Sequence, residues 1–268
     1  MMWNLNVSSM NIKILIAAHK QCELPDDAVY LPVQVGKALH PDNLLEGYQP
    51  DDEGENISEK NPYYSELTAI YWAWKNLKAD YVGLVHYRRH FCLKRKDTSW
   101  NSILTGEEAE QLCKEYDLIL PKKRKLYIET VYSHYDHTFY GEQFDRAREI
   151  IERRCPEYLE TFDKHMKERS EHLFNMFIMK EELFHQYCEW MFPILEELET
   201  YYDLPNMDPF QARLIGRVSE RLMDVWVQKN NLKYKEIDFL YFGKKNMIRK
   251  VWGFAMAAIL HKRYKKSF

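Results

Sequence analysis

The stretch DYVGLVHYRRHF, Asp80 to Phe91, joins an apolar run directly to a dense group of polar side chains. Its first half, Tyr81 to Val85, has the composition of a strand that is buried on both faces. The residues HYRR, 86 to 89, then follow at the carboxyl end of that strand. Because ligands of open α/β sheets bind at the carboxyl ends of the strands, this stretch predicts a central strand and a binding site together.

Strand-like and helix-like segments alternate on both sides of this stretch. IKILIAA, Ile12 to Ala18, is a short apolar run typical of a central parallel strand. The segment from Asn61 to Leu77 predicts a helix with Asn61 as its N-cap, and Thr105 with Glu108 forms a capping box at the start of another. The alternation predicts an α/β fold, with an open, mixed but mainly parallel sheet flanked by helices.

The remaining segments complete one predicted domain over residues 11–243, followed by a basic amphipathic tail over 244–268. They are a strand at 29–35, loops at 36–60 and 122–140, helices at 142–153 and 156–167, strands at 117–121 and 172–180, and helices at 181–199 and 206–230. In the last helix, Asp208 is expected at the N-cap and Pro209 at the first position.

Composition indicates a globular protein of a reducing compartment. Hydrophobic residues make up 46% of the 268 residues, and the five cysteines are scattered, odd in number and without a C-x-x-C pair. The amino terminus lacks the pattern of a signal peptide, and no apolar run reaches the roughly 20 residues that span a bilayer. A cytoplasmic protein is therefore expected.

The formal charge of −3 conceals an uneven distribution. From residue 244 onward there are eight Lys or Arg and no Asp or Glu, so a tail of +8 leaves −11 for residues 1–243. VWGFAMAAIL, at 251–260, lies between the basic clusters and suits peripheral contact with an anionic membrane surface. A terminal helix packed on the domain stays an equal alternative. The acidic body argues against nucleic-acid binding, which would need a salt-sensitive interaction of the tail.

Several chemistries fit the polar residues of the opening stretch. Adjacent Arg88 and Arg89 suit phosphate recognition, because a guanidinium presents a planar fork of permanently charged donors. Alternatively, one arginine pairs with a buried carboxylate such as Glu66 and the other is solvated. The histidine pairs 86/90 and 134/137 could ligate a metal, but no spacing fixes a third ligand. P-loop, dinucleotide-binding and serine-hydrolase motifs are absent from the sequence.

Five segments together resemble a family of bacterial glycosyltransferases of capsular and exopolysaccharide gene clusters, long described as a domain of unknown function. They are KILIAAHK, YYSELTAIYWAWKN, DYVGLVHYRRHF, FNMFIMKEELFHQYCEWMFPIL and GRVSERLMDVWV. The resemblance runs from about residue 12 to 241. The family is similar in turn to nucleotide-sugar transferases of the GT-A fold. The resemblance therefore implies a UDP-sugar donor and a lipid-linked saccharide acceptor at the cytoplasmic face of the membrane.

The resemblance also implies roles for single residues. The HYRR segment stands where GT-A enzymes usually have a D-x-D metal motif, and this sequence has no D-x-D. Whether the reaction uses a divalent Mn or Mg ion therefore stays open. Arg88 or Arg89 is expected to stabilise the leaving diphosphate. The expected donor-binding residues are His19, His86, Tyr87, Arg88 and Arg89. The expected acceptor-binding residues are Asn175 and Arg221.

The reaction needs one further group if it inverts the anomeric centre. A carboxylate must then take the proton of the acceptor hydroxyl, whereas in a retaining transfer the leaving phosphate can do so. Glu220 is the first candidate for this base and Asp208 the second, since both follow the predicted strand at 172–180, in which the resemblance places NMFIMK on the acceptor side. An ordinary helix carboxylate paired with a basic neighbour is the alternative for Glu220.

The resemblance thus implies a peripheral membrane glycosyltransferase of surface polysaccharide synthesis, with galactose, in pyranose or furanose form, as one candidate for the transferred sugar. A noncatalytic sugar-nucleotide or polysaccharide-binding module is the alternative, motivated by the missing D-x-D motif.

Overall fold

The computed structural model describes residues 10–93 and 99–243. The predicted tail at 244–268 lies outside the described residues. Ten strands occur in the part that is described: β1 (Ile12–Ala18), β2 (Tyr30–Gln34), β3 (Gln49–Pro50), β4 (Tyr81–His86), β5 (Arg89–Cys92), β6 (Leu118–Pro121), β7 (Arg124–Lys125), β8 (Ser170–Glu171), β9 (Phe177–Lys180) and β10 (Lys235–Tyr241).

Eight of these strands form one sheet, in the order β3-β2-β1-β4-β5-β10-β6-β9. The strands β1 and β4 are its centre, as the apolar runs predicted, and pair in parallel from Ile12 opposite Tyr81 to Ala17 opposite His86. The expectation of a mainly parallel sheet is wrong. Pairings β4 with β5, β4 with β9, β6 with β9 and β5 with β10 are antiparallel, so the sheet is evenly mixed.

The sheet is also partly closed rather than fully open. One edge of β4 pairs with β9 over Tyr81–Leu84 and then with β5 at the single pair His86 and Arg89. The strands β9, β6, β10 and β5 complete a ring of pairings that returns to β4. The turn at Tyr87 and Arg88 therefore joins two strands, β4 and β5, that are each paired with further strands of the sheet.

Eight α-helices occur in the described residues and cover both faces of the sheet. They are α1 (Asn61–Tyr64), α2 (Leu67–Asn76), α3 (Gly106–Glu115), α4 (Val131–Thr138), α5 (Glu142–Arg154), α6 (Leu159–His165), α7 (Glu181–Glu199) and α8 (Leu214–Lys229). No described helix is long and apolar enough to cross a bilayer.

Alternating side chains divide the core into two layers. On β1, Leu15 and Ala17 face a large cluster that includes α2, α5, α7 and α8, whereas Ile14 and Ile16 face a smaller cluster with α3. This period of two is the property that lets a central strand bury both faces. The result is a single α/β domain, with helices on both faces as expected.

Two helix predictions are confirmed in detail. The predicted helix at 181–199 is α7 to the residue. The predicted capping box is present at the start of α3, where Thr105 Oγ1 accepts from Glu108 N at 3.2 Å and Glu108 Oε2 accepts from Thr105 N at 3.0 Å.

The predicted single helix at 61–77 is wrong, because Ser65 interrupts it. Ser65 has φ 54° and ψ −129°, so α1 ends before it and α2 begins at Leu67. Asn61 does not act as an N-cap. Its amide Nδ2 instead donates to Ser65 O at 2.8 Å and stabilises the break.

Other boundaries differ where loops were misjudged. The predicted loop at 122–140 contains β7 and α4, and β10 was not predicted. Of the predicted strand at 172–180 only β9 is formed, since Phe174 and Asn175 have positive φ of 75° and 50°. The last predicted helix begins at Leu214 rather than near Asp208, whose carboxylate caps a turn that precedes a 3-10 segment.

Candidate functional site

A cavity of about 850 Å³ opens at the carboxyl ends of β1 and β4. Ala17 and His19 border it at the end of β1, and the HYRR segment borders it at the end of β4. This is the edge of the sheet that the sequence predicted. Its basic side chains are His19, His86, His134 and six arginines: Arg88, Arg89, Arg124, Arg213, Arg217 and Arg221.

Among the described residues, only two carboxylates line this cavity, those of Glu66 and Glu220. Six guanidinium groups and two carboxylates leave the lining strongly positive. Such a cavity favours an anionic ligand, because charges act most strongly where water is partly excluded.

The turn of HYRR carries a small stack of rings and cations. The His19 ring contacts the Tyr87 ring edge to face at 5.5 Å between centroids, and the Arg88 guanidinium lies 4.9 Å from the Tyr87 centroid. Burial, with Lys20, Arg88 and Arg213 nearby, lowers the pKa of His19. His19 is therefore neutral at pH 7 and can accept or donate a hydrogen bond at the cavity edge.

Arg88 and Arg89 have separate environments, as expected for adjacent residues. Arg88 is exposed, whereas the Arg89 guanidinium packs on the Phe174 ring at 4.2 Å and the Tyr241 ring at 5.2 Å. Arg89 forms no ion pair with a carboxylate of residues 10–93 or 99–243. The alternative that pairs one arginine with Glu66 is therefore wrong for the described residues.

Helix α8 and the turn before it supply four charged side chains on one side. They are Arg213, Arg217, Glu220 and Arg221. Intervals of three or four residues place successive members of this set on the same helical face. The Arg217 guanidinium packs on the Phe139 and Phe210 rings at 4.0 and 4.3 Å. Burial, with Arg213 and Arg221 close by, lowers its pKa to about 10, so it stays charged at neutral pH.

Glu220 is a partly buried carboxylate with one side turned to the cavity. Its side chain is 19% exposed, its Oε2 accepts from Phe174 N at 3.1 Å, and Arg221 Nη1 lies 3.4 Å from the same oxygen. Burial raises its pKa, and the nearby charges of Glu66 and Glu171 add to this effect, while Arg221 opposes it. A carboxylate with a raised pKa is the better proton acceptor.

Glu66 follows the strained Ser65 and is held by the loop before β9. Asn175 Nδ2 donates to Glu66 Oε1 at 2.8 Å, and His86 Nε2 lies 4.0 Å from the same oxygen. An L-residue at the φ and ψ of Ser65 costs about 1–3 kcal/mol, and such strain concentrates at functional sites. The break in the helix thus directs Glu66 to the cavity.

Arg221 lines the cavity but is largely buried and paired with a carboxylate. Its Nε lies 2.9 Å from Glu171 Oε2, with both side chains nearly inaccessible, and its Nη1 donates to Arg217 O at 2.9 Å. Losing one member of such a pair would leave an uncompensated charge. Arg221 therefore supports α8 and the position of Glu220.

The structure brings together most of the predicted site residues. His19, His86, Tyr87, Arg88, Arg89, Glu220 and Arg221 all line the cavity. Asn175 lies next to it, buried, with its amide bonded to Glu66 and to Ser219. Asp208 does not border the cavity; it is exposed and accepts from Phe210 N at 3.0 Å. The role of each residue stays a prediction.

Sequence reasoning missed Arg213 and Arg217. Their spacing to Glu220 and Arg221 in ARLIGRVSERL repeats every three or four residues, so a helical plot of this segment would have found them. Glu66 was treated only as a structural partner. Nothing in its sequence neighbourhood indicated that the helix would break beside it.

The donor set of the cavity does not fit a divalent cation held by the protein. Oxygen-rich sites suit Mg or Mn, yet Glu66 is engaged by Asn175, and Glu220 by Phe174 N and Arg221. In the part of the chain that is described, no three His, Cys, Asp or Glu side chains form a group suited to a metal. His134 and His137 instead share the carboxylate of Glu129 through their Nδ1 atoms.

Comparisons with known proteins agree with this architecture. A family model described as "Domain of unknown function (DUF4422)" matches residues 13–231, and no functionally curated protein matches the chain. The solved apo structure of WbbM, a bifunctional glycosyltransferase, is similar with a TM-score of 0.80 and 32% identity. The similar region covers 87% of this chain and 46% of WbbM, so this chain spans less than half of that protein. Since the family model covers most of its length, the chain belongs to the DUF4422 family.

Proposed function

We propose that this protein is a glycosyltransferase that takes a sugar from a UDP-sugar and extends a lipid-linked saccharide in surface polysaccharide synthesis. One observation carries the proposal: a single cavity combines a set of arginines with a partly buried carboxylate of raised pKa. The similarity to part of a bifunctional glycosyltransferase supports it.

The arginines account for recognition of the donor diphosphate. Arg88 and Arg213 both lie near His19, and Arg217 follows one turn after Arg213. A hydrogen bond between charged groups contributes about 1.5–3 kcal/mol, so two or three arginines would stabilise the departing diphosphate substantially. In this arrangement guanidinium groups neutralise the charge that a D-x-D-bound metal would otherwise neutralise.

Glu220 accounts for activation of the acceptor. Its carboxylate takes the proton as the acceptor oxygen forms a bond to the anomeric carbon, while the bond from that carbon to the diphosphate oxygen breaks and UDP leaves with the electron pair. Phe174 N and Arg221 hold the Oε2 side of the carboxylate. Glu66 raises the pKa of Glu220 and is the second carboxylate within the same cavity.

The test is calorimetric titration with UDP and with UDP-galactose, first in EDTA and then with manganese. We expect binding in EDTA that Arg88→Ala or Arg89→Ala weakens strongly. Arg146→Ala is the matched control, because Arg146 lies on α5 and pairs with Glu149 away from the cavity. If no nucleotide binds under any condition, a noncatalytic polysaccharide-binding module is the better account.

A further inference from the structure

The most exposed large hydrophobic side chains of the described residues are adjacent. Tyr127 is 79% and Ile128 86% accessible to solvent. They follow Leu126, which is buried in the main core, and Leu126 N donates to Arg169 O at 2.9 Å. The two side chains thus project from an anchored turn rather than from a free loop.

The backbone of this turn has a defined conformation. Tyr127 has φ 60°, a left-handed geometry that L-residues seldom adopt without support. Before it, β7 pairs with β8 through Arg124 opposite Glu171 and Lys125 opposite Ser170. The fold therefore maintains the exposure of Tyr127 and Ile128, which ordinary solvent contact would not favour.

Basic side chains surround the two apolar ones. The segment KKRKLYI, 122–128, has four cations and no acid, and Arg169 lies beside it. We call residues 122–128 with Arg169 the basic turn. Lys122 pairs with Asp238 at 2.8 Å and Lys123 with Asp224 at 3.1 Å. Lys125 and Arg169 form no ion pair with another described residue, so their charge is available to a partner.

A second cavity, of about 510 Å³, lies within the basic turn. Its lining is largely cationic and comes from the two-stranded sheet of β7 and β8, the residues that follow β6, and β10: Lys122, Lys123, Lys125, Tyr127, Arg169, Ser170 and Glu236. A concave cationic surface next to an apolar tip suits an anionic headgroup beside acyl chains.

We propose that the basic turn docks on the anionic surface of a phospholipid bilayer, with Tyr127 and Ile128 entering the interface and Lys125 and Arg169 contacting headgroup phosphates. Aromatic side chains favour the bilayer interface, and cations near it gain from the negative surface potential. This surface consists of residues other than those of the tail, and docking does not require any catalytic activity.

The position of the basic turn links it to the large cavity. Arg124 belongs to the basic turn and also lines that cavity. Docking would therefore bring the cavity close to the membrane, where a lipid-linked acceptor resides. This last consequence rests on the proposed function, whereas the docking itself does not.

The test uses the full chain and co-sedimentation with phosphatidylcholine vesicles that do or do not contain phosphatidylglycerol. We expect binding only to the anionic vesicles. The double variant Tyr127→Ser/Ile128→Ser and the charge reversal Lys125→Glu/Arg169→Glu should each weaken it about tenfold. All variants keep the tail, so its contribution is constant.

Two further variants guard against a trivial loss of folding. Leu44→Ser removes another exposed apolar side chain, 66% accessible and located before β3 at the far edge of the sheet, and should leave vesicle binding unchanged. Ile128→Trp should strengthen binding, since Trp favours the interface. Wild-type protein that ignores anionic vesicles, or a double serine variant that binds as wild type does, would overturn the inference.

Nucleotide titration separates this inference from the proposed function. The double serine variant should bind UDP as wild type does, because Tyr127 and Ile128 do not line the large cavity. If the wild type binds anionic vesicles but not UDP, the proposed transferase function is rejected and the proposed docking surface is retained. Binding of free pyrophosphate that Lys125→Glu/Arg169→Glu abolishes, without vesicle binding, would instead indicate a site for a soluble phosphate in the basic turn and reject docking.

Discussion

Asn175 donates a hydrogen bond of 2.8 Å from its Nδ2 to Glu66 Oε1 and so joins the loop before β9 to the break between α1 and α2. The neighbouring Phe174 contacts the other groups of the site through its backbone. Its N donates to Glu220, and its O lies 2.6 Å from His86 Nε2. Two consecutive residues with positive φ thus arrange both carboxylates of the cavity and the end of β4.

Glu220→Gln should lower the rate of transfer by about 10²–10⁴, the usual contribution of a positioned base. The amide keeps the shape of the side chain but accepts no proton. UDP affinity should change little, so product formation and UDP titration are measured on the same preparation. Asp208→Asn is the control and should keep its activity, because Asp208 lies outside the cavity. Full activity of the Gln variant would contradict the assignment.

The acid limb of the rate profile should lie above pH 4.5, the ordinary value of a Glu side chain. Burial and the charge of Glu66 raise the pKa of Glu220, and the base must be ionised to act. Glu66→Gln removes a like charge, so it should move the acid limb to lower pH. The measurement is kcat/KM against pH for both proteins. An acid limb at the same pH in both would show that Glu66 does not act on the base.

Arg217→Ala should weaken UDP binding by about 1.5–3 kcal/mol, the usual contribution of a charged hydrogen bond. Arg217→Lys should restore little, because an ammonium group lacks the planar fork and packs less well on Phe139 and Phe210. Calorimetry in EDTA measures both variants. Arg146→Ala again serves as a control, and equal affinities in all three variants would remove Arg217 from the donor site.

Ser65→Gly should increase the free energy of unfolding by about 1 kcal/mol. Relief of backbone strain, about 1–3 kcal/mol, outweighs the extra entropy of glycine in the unfolded chain, which is about 1 kcal/mol or less. Gly216→Ala is the opposing variant, since its new Cβ would lie 3.1 Å from Tyr64 O and 3.2 Å from Ser65 Oγ. Urea unfolding of wild type and the two variants should show a higher free energy of unfolding for Ser65→Gly and a lower one for Gly216→Ala. A Ser65→Gly variant less stable than wild type would show that strain at Ser65 is not the dominant effect.

His90 should make the fold sensitive to acid. It is packed among the rings of Tyr30, Trp100 and Phe242, and burial lowers its pKa from 6.5 to about 4. Between these values the unfolded chain binds a proton that the native protein does not, so the free energy of unfolding falls as the pH falls from 6.5 to 4. At about 1.4 kcal/mol per pKa unit, the loss is about 3 kcal/mol.

The pH dependence is measured by urea unfolding of wild type and His90→Phe at pH 7 and pH 5. The Phe variant has no ring nitrogen to protonate, so its free energy of unfolding should fall less between the two values. Parallel losses in the two proteins would assign the acid sensitivity to other groups.

The central strands and the amphipathic helices could be predicted because their own residues determine them. Ile12–Ala18 is apolar throughout, and α7 repeats its apolar positions along 19 residues. The break at Ser65 could not be predicted from its neighbourhood. Its strained backbone is supported by a hydrogen bond from Asn61, four residues earlier, and by the close approach of Gly216, which lies far along the chain. For the same reason the HYRR part of the site was found from sequence, whereas the participation of Glu66 was not.

The antiparallel strands were misjudged for a related physical reason. The four residues of β9 are too few to identify its partners, and β10 fully buries only Ile237 and Leu240, so only the folded sheet supplies the partners of both strands. The residues of a long apolar strand indicate by themselves that it is buried in the sheet. The register of a short strand depends on the strands with which it pairs.

The ring of pairings around β4 has a consequence for protein synthesis on the ribosome. Tyr241 on β10 pairs with Arg89 on β5, yet β10 is translated more than 140 residues after HYRR. A nascent chain that lacks Lys235–Tyr241 can bury the helices of its main core but leaves β5 without this partner. Nucleotide affinity should therefore arise late, at one step of elongation, and stalled chains ending before and after β10 should differ in their retention on immobilised UDP.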